Sequence, residues 1–400
     1  MGALIEVFNR YNELGGEEVI ADAILCALRE HYTVESVRFN SSDWKEGGAP
    51  GKPWQVLKMF HNCESSKSIA DIVQTRKIDA IFCHNIYPVA SPSVYRIAKY
   101  LGIPVVQFIH NFRPFSVNGT LWAGGRVTSE SLTGNFLPEI RSAAWQGSIV
   151  KSAIMAAVLR SQKISGAHDS VKCWIAISDF MKQKFIEAGV PKKKVVTLRH
   201  FWEPTREGFD CCDQGYYMYL GRLVPEKGVQ VIVEAWRLLQ LQFGKNCPRL
   251  VIAGAGELAQ LVTDAAEANP AIEYYGFVEG AKKQRLLRGA RAVLAPSIWW
   301  EPLGLVTYEA YEYYKPMVAA ASGGLCETVK HHRTGLLHQP DDPASLAASI
   351  LEMESMSQDE RKKLGIRGHE WLLREASKQR WCKCFKQIIA TLNCTAGPFA

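Results

Sequence analysis

Two doubly wound α/β domains are what this sequence predicts, and three observations carry that prediction. Short apolar runs alternate with longer amphipathic ones from end to end, the pattern of parallel sheets with helices on both faces. The chain has 400 residues, more than one hydrophobic core usually serves. Near its middle, Phe201-Trp202-Glu203-Pro204-Thr205-Arg206-Glu207-Gly208, continuing to Gln214-Gly215, carries turn chemistry without periodicity and reads as an inter-domain linker.

Taken in order, the strand candidates of the first half fall at 3–8, 34–39, 79–83, 104–109, 173–177 and 195–198, each followed by a helical pattern or a turn. In the second half, 216–220, 249–253, 272–275, 292–295 and 317–320 repeat the scheme. Doubly wound sheets bind ligands beyond the carboxyl ends of their strands. The loops that follow the strands are therefore where function is sought. The segment 141–163 places Ile149, Met155, Val158 and Leu159 among Arg141, Lys151, Arg160 and Lys163, and reads as one long helix, apolar on one side and basic on the rest. Core packing is one reading of it, and docking on the inner leaflet of a membrane is the other.

Composition narrows the classes. Hydrophobic residues make up 47% and charged residues 22%, ordinary proportions that exclude intrinsic disorder. The formal net charge of +7 comes from scattered residues, which suits anionic sugar nucleotides or a membrane surface; no basic stretch interleaved with aromatics points to nucleic acid. No run reaches the ~18 apolar residues of a membrane span, and the start of the chain lacks the pattern of a secretion signal, so a cytoplasmic protein is expected. The 11 cysteines include no Cys-x-x-Cys, so reduced thiols are expected and a zinc site is not.

The most informative motif is Glu301-Pro302-Leu303-Gly304-Leu305-Val306-Thr307-Tyr308-Glu309. Its two glutamates flank the start of an expected helix, with Glu309 expected about two turns beyond Glu301. Unpaired amides and the positive dipole end between them suit an anion, and the carboxylates suit hydroxyls on either side. By spacing alone, Glu301 as a cap and Glu309 as a surface residue fit as well. Arg222 and Lys227 follow the strand at 216–220 in a loop punctuated by Gly221, Pro225 and Gly228; they are either solvated loop cations or charges that neutralise a diphosphate as it leaves. Gly254-Ala255-Gly256-Glu257-Leu258-Ala259 formally satisfies a dinucleotide fingerprint, with Glu273 at a plausible distance for a ribose, but follows the second strand of its domain rather than the first. Gly15-Gly16 precedes an expected helix from Glu17, and His110 closes the strand at 104–109.

In this order, Gly15-Gly16-Glu17-Glu18, Gly221 to Gly228, Glu301-x7-Glu309 and Ser322-Gly323-Gly324-Leu325-Cys326-Glu327 resemble the retaining glycosyltransferases of family 4, over nearly the whole chain. The resemblance implies the GT-B architecture, two Rossmann-like domains facing a central cleft. Residues 1–205 would bind the acceptor, 206–378 the nucleotide-sugar donor, and 379–400 would form a helix crossing back onto the first domain. It also implies roles. Arg222 and Lys227 would hold the donor diphosphate with the amides of Gly304, Leu305 and Val306. Glu301 would meet the sugar hydroxyls, Glu309 the ribose, and His110 the sugar through its ring or carbonyl oxygen. Gly15 and Gly16 would lie near the transferred sugar, with Glu17 and Glu18 opposing a bound anion; Gly254 and Gly256 would let the main chain approach the nucleotide, and Phe277 and Val278 would meet the base.

The reaction so implied is retaining and independent of metal, since no Asp-x-Asp stands at a strand end, and it needs no cofactor. UDP-glucose or UDP-galactose is the first expectation for the donor and GDP-mannose the second. The acceptor would be a glycan or a lipid-linked hydroxyl in exopolysaccharide or envelope synthesis, with a peripheral membrane contact and no nucleic acid. The rivals are an NAD-type dehydrogenase, through the glycines at 254 and 256, and a nucleotide-sugar-binding protein without turnover. Relatives often carry Asn where this chain has His200, which bears on the acceptor more than on the donor.

Overall fold

A computed structural model describes residues 2–10, 16–45, 49–204 and 212–393. The chain divides into two compact units, Met1–His200 with Lys378–Ala400, and Phe201–Ser377. The expected boundaries fell after 205 and 378, and residues 205–211 of the expected linker lie outside the described residues.

The first unit is built on a six-stranded sheet in the order β2-β1-β3-β4-β7-β8. Its strands are β1 Ala3–Arg10, β2 Thr33–Asn40, β3 Ala80–Cys83, β4 Val105–Ile109, β7 Val171–Ala176 and β8 Val195–Thr197, all paired in parallel. A small hairpin, β5 Trp122–Ala123 with β6 Arg126–Val127, stands apart. Strands β3 and β4 are buried along their whole length, as expected where helices cover both faces of a parallel sheet. The helix Lys378–Asn393 belongs to this unit: Phe385 is buried and meets Phe82 edge-on at 5.1 Å, while Trp381 stacks on Phe385 at 5.2 Å.

In the second unit the order is β11-β10-β9-β12-β13-β14, again all parallel, with β9 Tyr216–Leu220, β10 Arg249–Ala253, β11 Ile272–Tyr274, β12 Ala290–Ala295, β13 Met317–Ala320 and β14 Gly335–His338. Strand β14 has no counterpart in the sequence prediction. It is four residues long and begins with Gly335, whose added Cβ would lie 2.2 Å from the Met317 carbonyl oxygen, so the pairing itself demands glycine. Trp236, Tyr217 and Leu294 lie in the core between this sheet and its helices. The order reverses between β1 and β3 in one sheet and between β9 and β12 in the other, so each unit has a switch point at the carboxyl ends of those strands.

The expected long helix at 141–163 is not one helix. A short helix, Leu137–Arg141, ends and a longer one, Ile149–Ile164, begins after left-handed backbone at Ala143, Gln146 and Gly147. Ser148 caps the second by accepting from the Lys151 amide. Hydrophobic periodicity runs through this break because apolar residues lie on both sides of it; left-handed Ala143 follows the end of the first helix, and Gly147 with the Ser148 cap sets the start of the second. Among the described residues no helix is long and apolar enough to cross a membrane.

Candidate functional site

Four loops of the second unit, those after β9, β10, β12 and β13, interlock at its switch point, and glycines are what let them. The loop after β9 is pinned to the next strand's loop by Gly221 N–H to Ala253 O (3.1 Å) and Leu223 N–H to Ala255 O (2.8 Å). It ends in a single turn, Pro225–Lys227, and in Gly228 at φ +73°, whose added Cβ would lie 2.0 Å from the Pro296 carbonyl oxygen. Only glycine allows that approach. The loop after β12 is thereby drawn in, with Ile298 N–H donating to Glu226 O at 3.0 Å. From the other side, Ser322 Oγ donates to Trp299 O, and Gly324 N–H donates to Glu301 O at 2.7 Å. Gly323 lies so close to Glu301 that a Cβ would stand 2.7 Å from its nitrogen. The Ser-Gly-Gly motif thus acts as a clamp on the backbone of Glu301.

Glu301 is buried, and its Oε2 accepts from Lys227 Nζ at 2.6 Å, Ser297 Oγ at 2.9 Å and Trp299 Nε1 at 3.0 Å. Burial on its own pushes this carboxyl up; the Lys227 ammonium and the donors from Ser297 and Trp299 outweigh it and hold the group below the usual carboxylate range. Lys227 Nζ also stands 5.1 Å from the centre of the Trp299 ring. Arg222 is exposed, its guanidinium 3.5 Å from Glu226, and its carbonyl accepts from Tyr219 Oη at 2.6 Å. Two residues assigned to different parts of a ligand, Lys227 and Glu301, are therefore each other's partners in this structure.

The helix that the glutamate motif opens runs Val306–Glu312, so Glu309 stands in its first turn rather than two turns along. Residues 301–304 form a folded loop instead of a helical start, because Gly304 is left-handed at φ +83°. The first main-chain bonds of the turn run from Thr307 N–H to Gly304 O (2.9 Å) and from the Tyr308 and Glu309 amides to Leu305 O, after the amides of Gly304, Leu305 and Val306. Glu309 Oε1 accepts from Lys283 Nζ at 2.8 Å. Lys283, Ser297 and Trp299 were not anticipated. Lys283 sits on the helix Gly280–Gly289, where nothing in the local sequence sets it apart from Lys282.

The glycines at 254 and 256 are explained differently from the expectation. Added Cβ atoms would lie 1.8 Å from Gly221 O and 2.3 Å from Leu223 O, so the close approach they permit is to the chain's own loop after β9. Gly254 N–H donates to Gly276 O at 2.8 Å and Leu258 N–H to Leu223 O at 2.9 Å. Two main-chain donors of this loop, at Gly254 and Leu258, are thus already engaged within the chain. Beside them Phe277 is 71% exposed while Val278 is buried.

In the first unit Gly15 lies outside the described residues, and Gly16 opens the helix Gly16–Arg29. Glu17 Oε2 accepts from Asn111 Nδ2 at 2.9 Å, and burial, then the neighbouring Glu18, push its carboxyl up to about 8. It is mostly neutral at pH 7, so the opposition to an anion expected of this residue is small.

His110 is buried with both ring nitrogens engaged: Nε2 is 2.8 Å from His84 Nδ1 and Nδ1 is 3.0 Å from His200 Nε2. His84 Nε2 in turn lies 3.9 Å from Glu6 Oε1, and Arg38 donates to both oxygens of Glu6 at 3.1 and 2.8 Å. Burial holds all three imidazoles well below the ordinary histidine range, so the chain is one of neutral rings that alternate donor and acceptor. Of the two contacts expected of His110, ring or carbonyl, the ring is committed inside the protein. His84 and His200 are both buried, and their link to His110 was not anticipated, because residues 26 and 90 positions away carry no mutual signal in one sequence. Among the described residues no cluster of three His, Cys, Asp or Glu could hold a metal ion.

Residues 212–371 match the family model for glycosyl transferases group 1, a match that lies inside the second unit. Among curated proteins, the chain is 31% identical over 142 residues to an uncharacterized glycosyltransferase of Methanocaldococcus jannaschii, covering 34% of this chain and 35% of that one. It is 35% identical over 156 residues to the glycogen synthase of Thermus thermophilus, covering 38% and 34%. The chain thus spans about a third of the length of these relatives. Among solved structures, Anabaena HepE in complex with UDP and glucose superposes with a TM-score of 0.65 at 16% identity, covering 98% of this chain and 100% of that one. Likeness at that identity is one of fold, and with two six-stranded parallel sheets it gives this chain the GT-B fold.

Proposed function

We propose that the chain is a retaining glycosyltransferase that moves a hexose from a nucleotide-diphosphate sugar to a hydroxyl of a glycan or lipid-linked acceptor. One observation carries the reading. At the switch point of the second unit, inside the region that matches the glycosyl transferase model, Lys227 is held on a buried, ionised Glu301, and Glu309 stands in the next turn. A carboxylate kept charged in a buried place at a strand's carboxyl end is a poised polar group, not a solvated one.

The parts then divide as follows. Lys227 has three donors and uses one on Glu301; the others, with Arg222 and the amides of Gly304 to Val306, stabilise the diphosphate as its charge grows. Glu301 spends Oε2 on its own neighbours and offers Oε1 to the sugar hydroxyls. Glu309 accepts from the ribose, and Phe277 and Val278 meet the base. The acceptor hydroxyl attacks on the face from which the phosphate leaves, and a phosphate oxygen takes its proton, so no separate base is required. By the same reading the first unit binds the acceptor, and His110, its ring committed to His84 and His200, has its carbonyl to offer a sugar. No metal or cofactor takes part, and we place the enzyme in the cytoplasm, in exopolysaccharide or envelope glycan synthesis.

Support for a uracil nucleotide comes from the UDP and glucose bound by Anabaena HepE; GDP-mannose stands second. The dehydrogenase reading is disfavoured because Gly254 and Gly256 are filled by the chain's own loop. A thermal-shift panel of UDP, GDP and NAD tests both. A ligand at 100 times its dissociation constant stabilises by about 2.7 kcal/mol, so UDP is expected to raise the transition; stabilisation by NAD alone would overturn the assignment.

A further inference from the structure

A polar chain crosses the sheet of the first unit, and the catalytic reading uses only one of its members. Arg38 lies on β2, Glu6 on β1, His84 directly after β3, His110 directly after β4 and His200 beyond β8, so the chain follows the order of the strands. Arg38 donates to both oxygens of Glu6, Glu6 faces His84, and the two ring contacts of His110 join the three imidazoles. Phenylalanines enclose them: Phe82 meets His84 edge-on at 4.8 Å, and Phe108 lies 4.9 Å from His110 and 5.7 Å from His200. All these residues except Arg38 are buried, so the rings have no solvent with which to exchange partners.

Hydrogen-bond logic ties the three rings into one unit. A neutral imidazole has one N–H and one bare nitrogen, and His110 engages both of its nitrogens, so it donates in only one direction. If it donates through Nδ1 to His200, His84 must donate to it through Nδ1, and His84 then turns a bare Nε2 towards Glu6. If it donates through Nε2 to His84, His200 must donate to it through Nε2, and His84 then turns Nε2–H towards Glu6. The protons therefore sit either all on Nδ1 or all on Nε2, and the end beside Glu6 chooses. A carboxylate 3.9 Å from His84 Nε2 attracts an N–H edge and repels a lone pair. The Arg38 cation, which would favour the opposite, is spent on Glu6 and Asp22. We infer that Glu6 is a positioning residue: acting through His84, it sets the protons of His84, His110 and His200 on Nε2, and the chain so fixed holds His110 and the peptide unit that follows β4. That this peptide unit serves a sugar rests on the transferase reading; the proton positions do not.

Long-range nitrogen–proton correlation spectra of the full chain with isotope-labelled histidine test the inference, because they tell an Nε2–H ring from an Nδ1–H ring. Replacing each of the three histidines in turn assigns the signals. Three neutral Nε2–H rings are expected. In Glu6→Gln the carboxamide can turn either its oxygen or its NH2 to His84, so both arrangements should be populated. The same variant should release UDP from UDP-glucose about tenfold more slowly or worse, while calorimetry shows unchanged affinity for UDP, which the second unit would bind. His200→Asn keeps a donor for His110 Nδ1 and should preserve the Nε2–H pattern of the two remaining rings, whereas His200→Ala should retain less of the rate. Nδ1–H rings in the unmodified chain would overturn the inference without recourse to any variant. So would a Glu6→Gln protein whose spectrum or rate of UDP release is unchanged. An unmodified chain that neither binds UDP nor releases it from UDP-glucose would instead sink the transferase reading, and the spectra would still decide the role of Glu6.

Discussion

Lys227 and Glu301 set the chemistry at the scale of single residues. Replacing Lys227 by alanine removes a donor aimed at developing charge, and kcat/KM is expected to fall by roughly 10² to 10³. The same change leaves the buried Glu301 without its cation, so its carboxyl pKa should rise and the melting temperature drop; a purified Lys227→Ala enzyme with ordinary turnover would remove the diphosphate assignment. At Glu309, the Gln variant keeps shape but loses charge-assisted bonds to the ribose. Calorimetry should show nucleotide affinity weakened by roughly 1.5–3 kcal/mol, whereas a residue serving only Lys283 would change it by less than about 0.5 kcal/mol. Glu17 yields a prediction in pH. Its folded pKa, about 8, stands above the ordinary 4.5, so the folded state binds the extra proton and stability falls as pH rises between those values. His84 and His200 act in the opposite sense: with folded values of about 3 against 6.5, their contribution is complete above 6.5 and lost as pH falls towards 3. Between pH 6.5 and 8 Glu17 therefore acts without these histidines, and Glu17→Gln should flatten the decline of the urea midpoint there; an unchanged slope would show that Glu17 ionises normally.

Loops and strands, at the next scale, explain what was legible. All eleven strands read from sequence exist, because most are apolar runs bounded by turn residues and β2 and β11 alternate apolar with polar positions. What escaped were the two-residue strands β5 and β6 and the four-residue β14, too short to register, and the break before Ile149, where apolar residues on both sides continue the pattern. In the site, the motifs marked the right loops, but their partners came from elsewhere: Lys283 from a helix, Ser297 and Trp299 from the loop itself, His84 and His200 from distant strand ends. One sequence shows which residues could carry chemistry and not which of them neutralise one another. The glycine clamp offers a test at this scale. Gly323→Ala introduces a Cβ 2.3 Å from the Glu301 carbonyl oxygen at φ +57°, whereas Gly102→Ala at φ +68° meets nothing within 4 Å. Both should lose about 1 kcal/mol or somewhat more to backbone strain. Only the first should also weaken nucleotide binding and turnover, by displacing Glu301; equal effects of the two would mean that the clamp does not set the site.

At the scale of the whole molecule, the order of the chain and the order of its units differ, because Lys378–Asn393 follows the second unit in sequence yet is part of the first. The expectation of a returning helix came from family resemblance; the physical reason is visible only in the packing. Phe385 is buried, edge-on to Phe82 at 5.1 Å and to Tyr32 at 6.0 Å, so the final helix completes a core made of residues more than three hundred positions earlier. Phe385→Ala should therefore cost the first unit about 3–5 kcal/mol, the usual range for a buried phenylalanine. The second unit keeps its own core around Trp236 and its own candidate nucleotide site, so UDP affinity should be unchanged. Calorimetric scans with and without UDP separate the two effects. The variant should lower the transition that UDP does not raise and leave the UDP-sensitive one in place, since a ligand stabilises only the folded unit that binds it. A Phe385→Ala protein in which UDP affinity falls along with stability would show that the helix serves the donor site as well as the core of the first unit.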